Sequence, residues 1–473
     1  MTTNTDYDVL VVGAGPAGEN VADVATQGGL KVAIVERQLV GGECSYWGCM
    51  PSKALLRPGE AMRMMKRVPG ARAALTGELD VEKALKRRNS LAANWDDSGQ
   101  VSWLNSANVD LIRGHGRLAG QRTVEVTADD GSVTRFAAAK AVVIAVGTGA
   151  LIPPIEGLRE TRTWDNRDIT ESKEVPRRLL VLGGGVIGVE MAQAWNDLGS
   201  EEVTIVEMAP RLLPREEPFV GDELKEALES YGITVHVDAK MVKVERAASD
   251  APVRGHLENG TIVEADEILV AIGRRPLTAD LGLDTIGLES GKFIEVDDHL
   301  LATGIDGAWL YAVGDVNGRA LLTHAGKYQA RIAGNHMAGL DTRAWGDVKA
   351  VPRVIFTDPA IAAVGLTEAD AADRGLNVHT VQYDVGWTAG AAALGQGIKG
   401  TAQLVIDGDR QTIVGATFVG PAVGELLHAA TIAIVGEVDL NTLWHAIPSF
   451  PTVSEIWLRF SEAYRDKYGV QFT

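Results

Sequence analysis

The chain has 473 residues, which is too long for one ordinary domain and enough for about three. A net charge of −18 excludes the basic surfaces that nucleic acids and anionic membranes require, so we expect neither as a partner. No apolar run reaches the roughly 18 residues of a membrane span, the N-terminal run Met1–Asp6 is polar, and only two cysteines are present, which together predict a cytoplasmic enzyme.

The first predicted unit is a strand, a glycine-rich turn, a helix and a second strand. The apolar run Tyr7–Val12 is typical of a buried parallel strand, and the turn after it has the pattern G-x-G-x-x-G. In this pattern Gly13 permits the tight turn, Gly15 lets backbone N–H groups reach a pyrophosphate, and Gly18 lets the helix pack closely. Glu36 ends the second strand, where a carboxylate accepts hydrogen bonds from ribose hydroxyls. The unit predicts a dinucleotide site, and the alternative is a turn that binds nothing.

Both cysteines lie in the segment Gly41–Lys53, which reads GGECSYWGCMPSK. Cys44 and Cys49 are close enough in sequence to lie on neighbouring turns at a helix start, where a small disulfide ring can close. The dipole and N–H groups of a helix N-terminus stabilise a thiolate. The segment therefore favours a disulfide that opens and closes, and the alternative is a pair of reduced core cysteines.

Residues 54–110 are predicted to be helical, with Val81–Trp95 as one helix. Strands are expected to follow at Leu111–Arg113, Thr123–Val126 and Ala141–Thr148. The pair Pro153–Pro154 then predicts a hinge.

A second unit of the same kind follows the hinge. It has a strand at Leu179–Leu182, a turn that begins at Gly183 with Gly185 in the place of Gly15, and a strand at Val203–Glu207. Two dinucleotide sites in one chain suit the transfer of a hydride between two nucleotide cofactors.

The end of this second strand bears on the choice between NAD and NADP. Glu207 suits a ribose 2′-hydroxyl and repels a 2′-phosphate, so NADH is favoured over NADPH. Arg211 and Arg215 follow soon after, and either can reach a phosphate, which weakens this inference.

The segment Gly41–Lys53 resembles the redox-active disulfide segment of the flavoprotein disulfide reductases, or pyridine nucleotide-disulfide oxidoreductases. That family includes dihydrolipoamide dehydrogenase, glutathione reductase and mercuric reductase. By this resemblance Cys49 is the charge-transfer thiol that faces the flavin, and Cys44 is the outer thiol that exchanges with substrate. The resemblance also implies that Lys53 lies near flavin N5 and that it pairs with Glu190, in the helix after the second glycine turn. From the residue alone, the alternative for Glu190 is an ordinary glutamate on a helix surface.

Later segments resemble the same family in the same order. Thr303–Asp315 resembles the second FAD fingerprint, and Leu322–Ala325 resembles a helix start that faces the flavin pyrimidine. Arg353–Gly365 resembles the opening of the interface domain. The resemblance implies an α/β fold with two Rossmann-like dinucleotide-binding domains, for FAD and NAD(P), and a C-terminal α+β dimerisation domain in a homodimer. The expected boundaries are 1–152 for the first part of the FAD domain, 153–276 for the NAD(P) domain, 277–350 for the return to the FAD domain and 351–473 for the interface domain.

The resemblance also assigns residues to each cofactor. Those expected to contact FAD are Gly13, Gly15, Pro16, Ala17, Glu36, Gly42, Gly48, Lys53, Gly116, Gly147, Gly314, Asp315 and Ala325. Those expected to contact NAD are Gly183, Gly185, Val186, Ile187, Glu190, Glu207 and Gly273. Val186 stands where glutathione reductase has a tyrosine that covers the nicotinamide pocket. No metal site is predicted.

One segment departs from the family pattern. Disulfide reductases carry His-Pro-Thr-x-x-Glu near the C-terminus, in which the His protonates the leaving thiol and the Glu holds the His. Here Pro451, Thr452 and Glu455 match, but Phe450 occupies the place of the His. A phenyl ring cannot transfer a proton, so Phe450 cannot be the acid. The nearby His445 is the candidate that could replace it.

The sequence therefore predicts an FAD-dependent, NAD(P)H-linked oxidoreductase that acts on a small-molecule electron acceptor. The expected catalytic residues are Cys44, Cys49, Lys53, Glu190 and Glu455. Hydride is expected to pass from NADH through the flavin to the disulfide and on to a disulfide substrate, as in dihydrolipoamide dehydrogenase. Because Phe450 replaces the His, the alternative is an NAD(P)H-dependent quinone, dye or metal-ion reductase. An electron-transfer module without turnover of its own is a third possibility.

Overall fold

The computed structural model describes residues 3–248 and 251–473. Met1 and Thr2, the start of the polar N-terminal run, lie outside the described residues. The chain forms two compact units, which are described in turn. The first unit comprises Met1–Pro51, Arg88–Leu151 and Gly273–Val348, and the second comprises Ser52–Arg87, Ile152–Ile272 and Lys349–Thr473. The four domain boundaries given above stay a prediction.

The elements follow one another along the chain in this order. Up to residue 150 they are β1 (Thr3–Val12), α1 (Pro16–Gln27), β2 (Val32–Glu36), α2 (Gly42–Tyr46), α3 (Cys49–Arg67), α4 (Pro69–Arg72), α5 (Val81–Leu91), α6 (Ser98–Ser106), β3 (Asp110–Arg113), β4 (His115–Leu118), β5 (Thr123–Thr127), β6 (Val133–Ile144) and β7 (Thr148–Ala150). Up to residue 270 they are α7 (Asn166–Glu171), β8 (Arg178–Leu182), α8 (Val186–Asp197), β9 (Glu202–Val206), α9 (Pro218–Ser230), β10 (Thr234–His236), β11 (Met241–Arg246), β12 (Val253–Leu257), β13 (Ile262–Ala265) and β14 (Glu267–Val270). Up to residue 365 they are β15 (Arg274–Pro276), β16 (Leu310–Ala312), α10 (Thr323–Met337), α11 (Gly346–Lys349), β17 (Arg353–Ile355) and β18 (Ala360–Gly365). The last are α12 (Glu368–Asp373), β19 (Val378–Asp384), α13 (Ala389–Leu394), β20 (Thr401–Asp407), β21 (Thr412–Gly420), α14 (Val423–Val435), α15 (Leu440–Trp444) and α16 (Ile456–Tyr468).

The first unit is built on a seven-stranded sheet with the order β3-β2-β1-β6-β5-β4, in which β16 also pairs with β6. The pairs that β1 forms with β2 and β6 are parallel, whereas β4 and β5 add an antiparallel meander. The residues of β1 from Val9 to Val12 are almost completely buried, as expected for a strand covered on both faces. Helices α1 and α10 supply small residues to the core on one face of this sheet.

The second unit contains a parallel sheet with the order β10-β9-β8-β14 and an antiparallel sheet with the order β11-β12-β13. Helix α8 packs against the parallel sheet, and the side chain of Trp195 in it is completely buried. A five-stranded antiparallel sheet, β17-β18-β21-β20-β19, follows in the same unit. Phe418 on β21 and Phe460 on α16 lie in the core of this last region. The predicted α/β class with a C-terminal α+β part is confirmed.

Two predicted elements differ from those observed. The predicted helix Val81–Trp95 ends at Leu91, and a one-turn 3-10 helix follows in which Asn94 has a positive φ of 51°. The predicted strand Ala141–Thr148 ends at Ile144. Gly147, at φ 71°, turns the chain so that β7 leaves the main sheet and pairs with β15.

Candidate active site

The two cysteines lie side by side in the first unit. Cys44 is in the short helix α2, and Cys49 is the first residue of α3. The expectation that both lie on neighbouring turns of one helix start is therefore wrong, because Trp47 leaves the helical conformation at φ −135° and separates two helices. The two sulfur atoms are nevertheless 2.8 Å apart, and the Cys44 thiol donates a hydrogen bond to Cys49 Sγ.

The two thiols have different surroundings. Cys49 Sγ lies 3.4 Å from Thr323 Oγ1, at the first residue of α10. The hydrogen bond to Cys49 and burial raise the pKa of Cys44, while Thr323 and the charge of Lys327 lower it. In this hydrogen bond Cys44 is the donor and the Cys49 sulfur is the acceptor.

The first glycine turn has the geometry of a phosphate-binding loop. Gly13 has a φ of 101°, and a Cβ on Gly18 would lie 1.9 Å from the carbonyl oxygen of Gly13, so neither position tolerates a side chain. A Cβ on Gly15 would meet nothing within 4 Å, which leaves open space above the turn. Helix α1 begins at Pro16, so its N-terminal N–H groups face this space.

Glu36 is held by the backbone of the same turn. One carboxylate oxygen accepts from the Ala14 N–H at 2.8 Å, and the other accepts from the Gln38 N–H at 2.6 Å. The carboxylate is thus fixed at the end of β2, where the sequence predicts a contact with ribose.

Further small residues converge on the first turn. A Cβ on Gly42 would lie 2.7 Å from the Cα of Gly15, so the start of α2 packs directly on the turn. Gly314 has a φ of 79°, and a Cβ there would lie 3.0 Å from the Cβ of Ala17. A Cβ on Gly326 would be 3.2 Å from the Cα of Gly314. Backbone and methyl groups therefore line this region, as an extended dinucleotide requires.

The remaining residues assigned to FAD in this unit have separate settings. Ala325 is buried in the first turn of α10, and a Cβ on Gly48 would be 3.1 Å from the carbonyl oxygen of Glu43. A Cβ on Gly116 would meet the side chains of Val35 at 3.0 Å and Val12 at 3.1 Å, so this glycine is closely packed, and its contact with FAD stays a prediction. Asp315 follows Gly314, and burial raises the pKa of its carboxyl group.

The second glycine turn, in the second unit, repeats the first closely. Gly183 has a φ of 112°, and a Cβ on Gly188 would lie 2.0 Å from the carbonyl oxygen of Gly183. A Cβ on Gly185 would meet only one atom, at 4.0 Å. Val186 and Ile187 begin helix α8, and the side chain of Val186 is exposed.

The carboxylate of Glu207 is fixed in the same manner as that of Glu36. Its oxygens accept from the Gly184 N–H at 2.6 Å and from the Ala209 N–H at 2.7 Å. Arg211 donates to the carbonyl oxygen of Pro214 at 3.1 Å. Gly273 was also assigned to NAD, but it belongs to the first unit, whereas the other residues assigned to NAD belong to the second unit.

Lys53 and Glu190 form an ion pair within the second unit. Lys53 Nζ lies 2.7 Å from one carboxylate oxygen of Glu190, whose side chain is 4% exposed. The other oxygen accepts from the Phe356 N–H at 2.9 Å, and Lys53 Nζ lies 4.8 Å from the centre of the Phe356 ring. Phe356 lies in the segment Arg353–Gly365, but its contacts with Lys53 and Glu190 were not predicted, because it is far from both partners along the chain.

In the C-terminal segment, the residues near the predicted acid position have separate partners. The side chain of Phe450 is 77% exposed. Glu455 accepts from the Ala389 N–H at 2.8 Å and from Arg459 at 2.5 Å, and the Ala389 hydrogen bond, with Arg459, lowers its pKa. His445 Nε2 lies 3.3 Å from the carbonyl oxygen of Thr473. Arg459 was missed, although its spacing of four residues from Glu455 on a helix indicates an ion pair.

Two kinds of feature are absent from residues 3–248 and 251–473. No group of three or more His, Cys, Asp or Glu side chains is placed to hold a metal ion. No helix in these ranges has the length and apolar character to cross a membrane.

Two family models match the chain. Residues 7–330 match the model described as pyridine nucleotide-disulphide oxidoreductase, and residues 351–459 match the dimerisation domain of the same family. The second match supports the predicted homodimer.

Curated relatives and solved structures agree with these matches. A dihydrolipoyl dehydrogenase of Chlorobaculum tepidum is 35% identical over 459 residues, covering 96% of this chain and 96% of the relative. A mercuric reductase of Staphylococcus aureus is 32% identical over 456 residues, covering 95% of this chain and 81% of the relative. The Cu(II) complex of the HOCl-induced flavoprotein disulfide reductase RclA from Escherichia coli superposes with a TM-score of 0.84 at 26% identity, covering 98% of this chain and 99% of that one. The chain thus belongs to the pyridine nucleotide-disulphide oxidoreductase family, and it is an oxidoreductase of the kind that uses FAD and NAD(P)H.

Proposed function

We propose that this protein uses NADH to reduce the Cys44–Cys49 pair and, through it or beside it, a small-molecule acceptor. The observation that carries the proposal is the contact between the two thiols in a chain of this family. FAD, when bound, supplies the two-electron chemistry between nicotinamide and thiols. Glu36, Asp315 and the open space above Gly15 fit its ribose, ribityl and pyrophosphate groups.

The side chains around the thiols divide the work between them. Cys44 carries the proton of the reduced pair and, as the outer thiol, exchanges with a disulfide substrate. Cys49 accepts the hydrogen bond from Cys44 and holds the negative charge, with Thr323 beside it. Glu190 is proposed to keep Lys53 oriented toward the flavin, because it binds the ammonium group at 2.7 Å.

NADH is the proposed nicotinamide cofactor. The Glu207 carboxylate is fixed by two backbone N–H groups and presents negative charge where a 2′-phosphate would lie. The Arg211 guanidinium, one of the two groups that could bind such a phosphate, donates instead to the Pro214 carbonyl.

The geometry at the C-terminus favours an acceptor that needs no proton from the protein. Phe450 stands in the place of the acid, and the Glu455 carboxylate that would orient an imidazole is bound by Ala389 N–H and Arg459. General acid help for a leaving thiolate is worth about 10²–10⁴-fold, and this chain lacks it at that place. Quinones, dyes and soft metal ions take electrons without such help.

A small disulfide is the other candidate acceptor. It is favoured by the relatives named dihydrolipoyl dehydrogenase, whereas those named mercuric reductase favour a metal ion, at closely similar identities of 35% and 32%. Disulfide reduction needs an acid, and His445 is the candidate for that role.

Steady-state NADH oxidation with lipoamide, glutathione disulfide, menadione and Hg²⁺ separates these acceptors. We expect turnover with menadione or Hg²⁺ to exceed turnover with either disulfide. Equal rates with lipoamide would show that Phe450 is no defect, and loss of that rate in His445→Gln would identify the acid. Protein purified without bound flavin, and unable to take up FAD, would contradict the whole proposal.

Thiol variants test the roles of the two cysteines. Anaerobic NADH should produce a long-wavelength absorbance band from a thiolate beside oxidised flavin. Cys49→Ser should abolish the band, and Cys44→Ser should show it without reductant, because the remaining thiol then has no partner for a disulfide. If Cys44→Ser abolished the band and Cys49→Ser showed it without reductant, the roles of the two cysteines would be exchanged.

The cytoplasmic location and the domain boundaries stay predictions.

A further inference from the structure

The residue before Cys44 belongs to a buried polar network in the first unit. One nitrogen of the Arg274 guanidinium donates to the Glu43 carboxylate, and the same nitrogen lies 2.7 Å from the carbonyl oxygen of Thr148. Arg274 Nε donates to Thr148 Oγ1, also at 2.7 Å. Thr148 Oγ1 in turn donates to Asp315 Oδ2 at 2.7 Å. One cation therefore connects three elements: α2, β7 and the turn that begins at Asp315.

Helix α2 is a short element that is held by packing and by a few polar contacts: Gly42 packs on Gly15, and the buried Tyr46 donates a hydrogen bond to the carbonyl oxygen of Val40 at 2.9 Å. It is five residues long, and its N-cap is Gly41 at φ 111°, with no side-chain hydrogen bond. Helices this short do not form from their own hydrogen bonds, because the nucleation step is unfavourable. Glu43 lies in the first turn of α2, so its ion pair acts on the backbone next to Cys44.

The ion pair suits this task for a physical reason. The side chains of Arg274 and Glu43 are only 18% and 23% exposed. A largely buried pair is favourable only when further hydrogen bonds satisfy the ions, and Thr148 provides two of them to Arg274. The rigid guanidinium fork can bind all these acceptors at once, which a lysine ammonium cannot do in the same plane.

We propose that Glu43 is a positioning residue that, through Arg274, fixes α2 so that Cys44 meets Cys49. The inference rests on the proposed role of the thiol pair. A disulfide forms only within a narrow range of Cα and Cβ separations, so loosening α2 lowers the fraction of time in which the sulfurs can join. The disulfide of a loosened variant is then reduced more readily.

The test is the equilibrium of the full-length, FAD-loaded protein with glutathione buffers, without NADH. Two glutathione thiols reduce the Cys44–Cys49 bond to two thiols and leave as one glutathione disulfide. Alkylation and mass spectrometry then give the ratio of dithiol to disulfide. We expect Glu43→Gln to shift this ratio about tenfold toward the dithiol, which is about 30 mV for two electrons.

Further variants separate positioning from general damage. Arg274→Met should give a similar shift, and the double variant should shift no further, because each residue acts through the other. The control is Glu125→Gln, which removes a surface ion pair with Arg135 in the same unit and should leave the ratio unchanged. If Arg274→Met does not fold, Glu43→Asp and Glu43→Thr replace it, and the shorter carboxylate should preserve more of the wild-type ratio than Thr.

An unchanged ratio in Glu43→Gln, or additive shifts in the double variant, would overturn the inference. Because the buffers contain no NADH, failure of the positioning role can be told apart from failure of the proposed reaction with NADH. A shifted ratio in a protein whose thiols NADH fails to reduce would support the positioning role and contradict the proposed reaction.

Discussion

Arg63 is the centre of a buried charge cluster in the second unit, and its replacement by methionine has an effect that the structure allows us to estimate. Arg63 donates to Asp197 Oδ1 at 2.5 Å and to Asp358 Oδ2 at 2.8 Å. Arg67 donates to the second oxygen of Asp358 at 2.7 Å. In Arg63→Met, Asp358 therefore keeps a cation, whereas Asp197, with a side chain 12% exposed, loses its own.

The expected loss follows from the unpaired Asp197 carboxylate. Removing one partner of a buried ion pair costs about 3–5 kcal/mol, because the remaining charge stays desolvated. The matched control on the same helix is Arg57→Met, which breaks an exposed pair with Glu60 and should cost under about 1 kcal/mol. Thermal unfolding at pH 7 compares the two variants with the wild type.

The pH dependence of folding stability gives an independent check on the direction of the pKa shift of Asp197. Burial raises the pKa of Asp197 and Arg63 opposes this, so the variant should have a carboxyl that is protonated more readily in the folded chain than in the unfolded one. Stability then falls as pH rises from the unfolded to the folded pKa, and acidification recovers part of the loss. Arg63→Met combined with Asp197→Asn should recover a similar part at pH 7. Equal losses in Arg63→Met and Arg57→Met would refute the reasoning.

Three other predictions address the proposed site. Glu190→Gln leaves Lys53 without its carboxylate partner, and a charged hydrogen bond is worth about 1.5–3 kcal/mol. Reduction of bound flavin by NADH, measured by stopped flow, should therefore slow about tenfold. An unchanged rate would show that the Lys53–Glu190 pair does not contribute to flavin reduction. Glu207→Ala should lower the ratio of kcat/KM for NADH to kcat/KM for NADPH by about tenfold. A wild-type preference for NADPH would indicate that Arg211, and not Glu207, determines the cofactor preference. Gly15→Ala should fold normally, because its Cβ meets no atom within 4 Å, yet purify with little FAD; full FAD content would place the pyrophosphate elsewhere.

The sequence was most informative where a function depends on neighbours in the chain. The glycine turns at Gly13 and Gly183, the carboxylates that follow them and the start of α10 at Thr323 are local patterns, and the structure has them at the expected positions. Strand β5 was predicted as Thr123–Val126, but β4 and the antiparallel pairing of the two strands were not, because an antiparallel meander beside a parallel sheet is set by tertiary pairing. The break between Cys44 and Cys49 also escaped prediction, since no proline marks it.

Contacts between distant parts of the chain could not be predicted from residue identity, and the Lys53–Glu190 pair was expected only through the family resemblance. Phe356 reaches Glu190 through a backbone N–H, which every residue except proline carries, so residue identity gives no signal. Arg63 and Asp358 are 295 positions apart, and Arg274 lies 231 positions from Glu43. A single sequence contains many arginines and carboxylates, and only the fold selects which of them meet.

The two glycine turns have a consequence for how nucleotides are selected. Glu36 and Glu207 each have both oxygens fixed by backbone N–H groups in the protein alone, so the rotamer entropy of each carboxylate is lost during folding and not on binding. In the proposed function each turn binds the adenosine diphosphate group of its cofactor, and the two turns are in this sense equally preorganised for that group. That shared half of FAD and NADH cannot tell one site from the other. Selection between the two cofactors must therefore come from the regions that meet the flavin and the nicotinamide rings, and free adenosine diphosphate should compete at either turn.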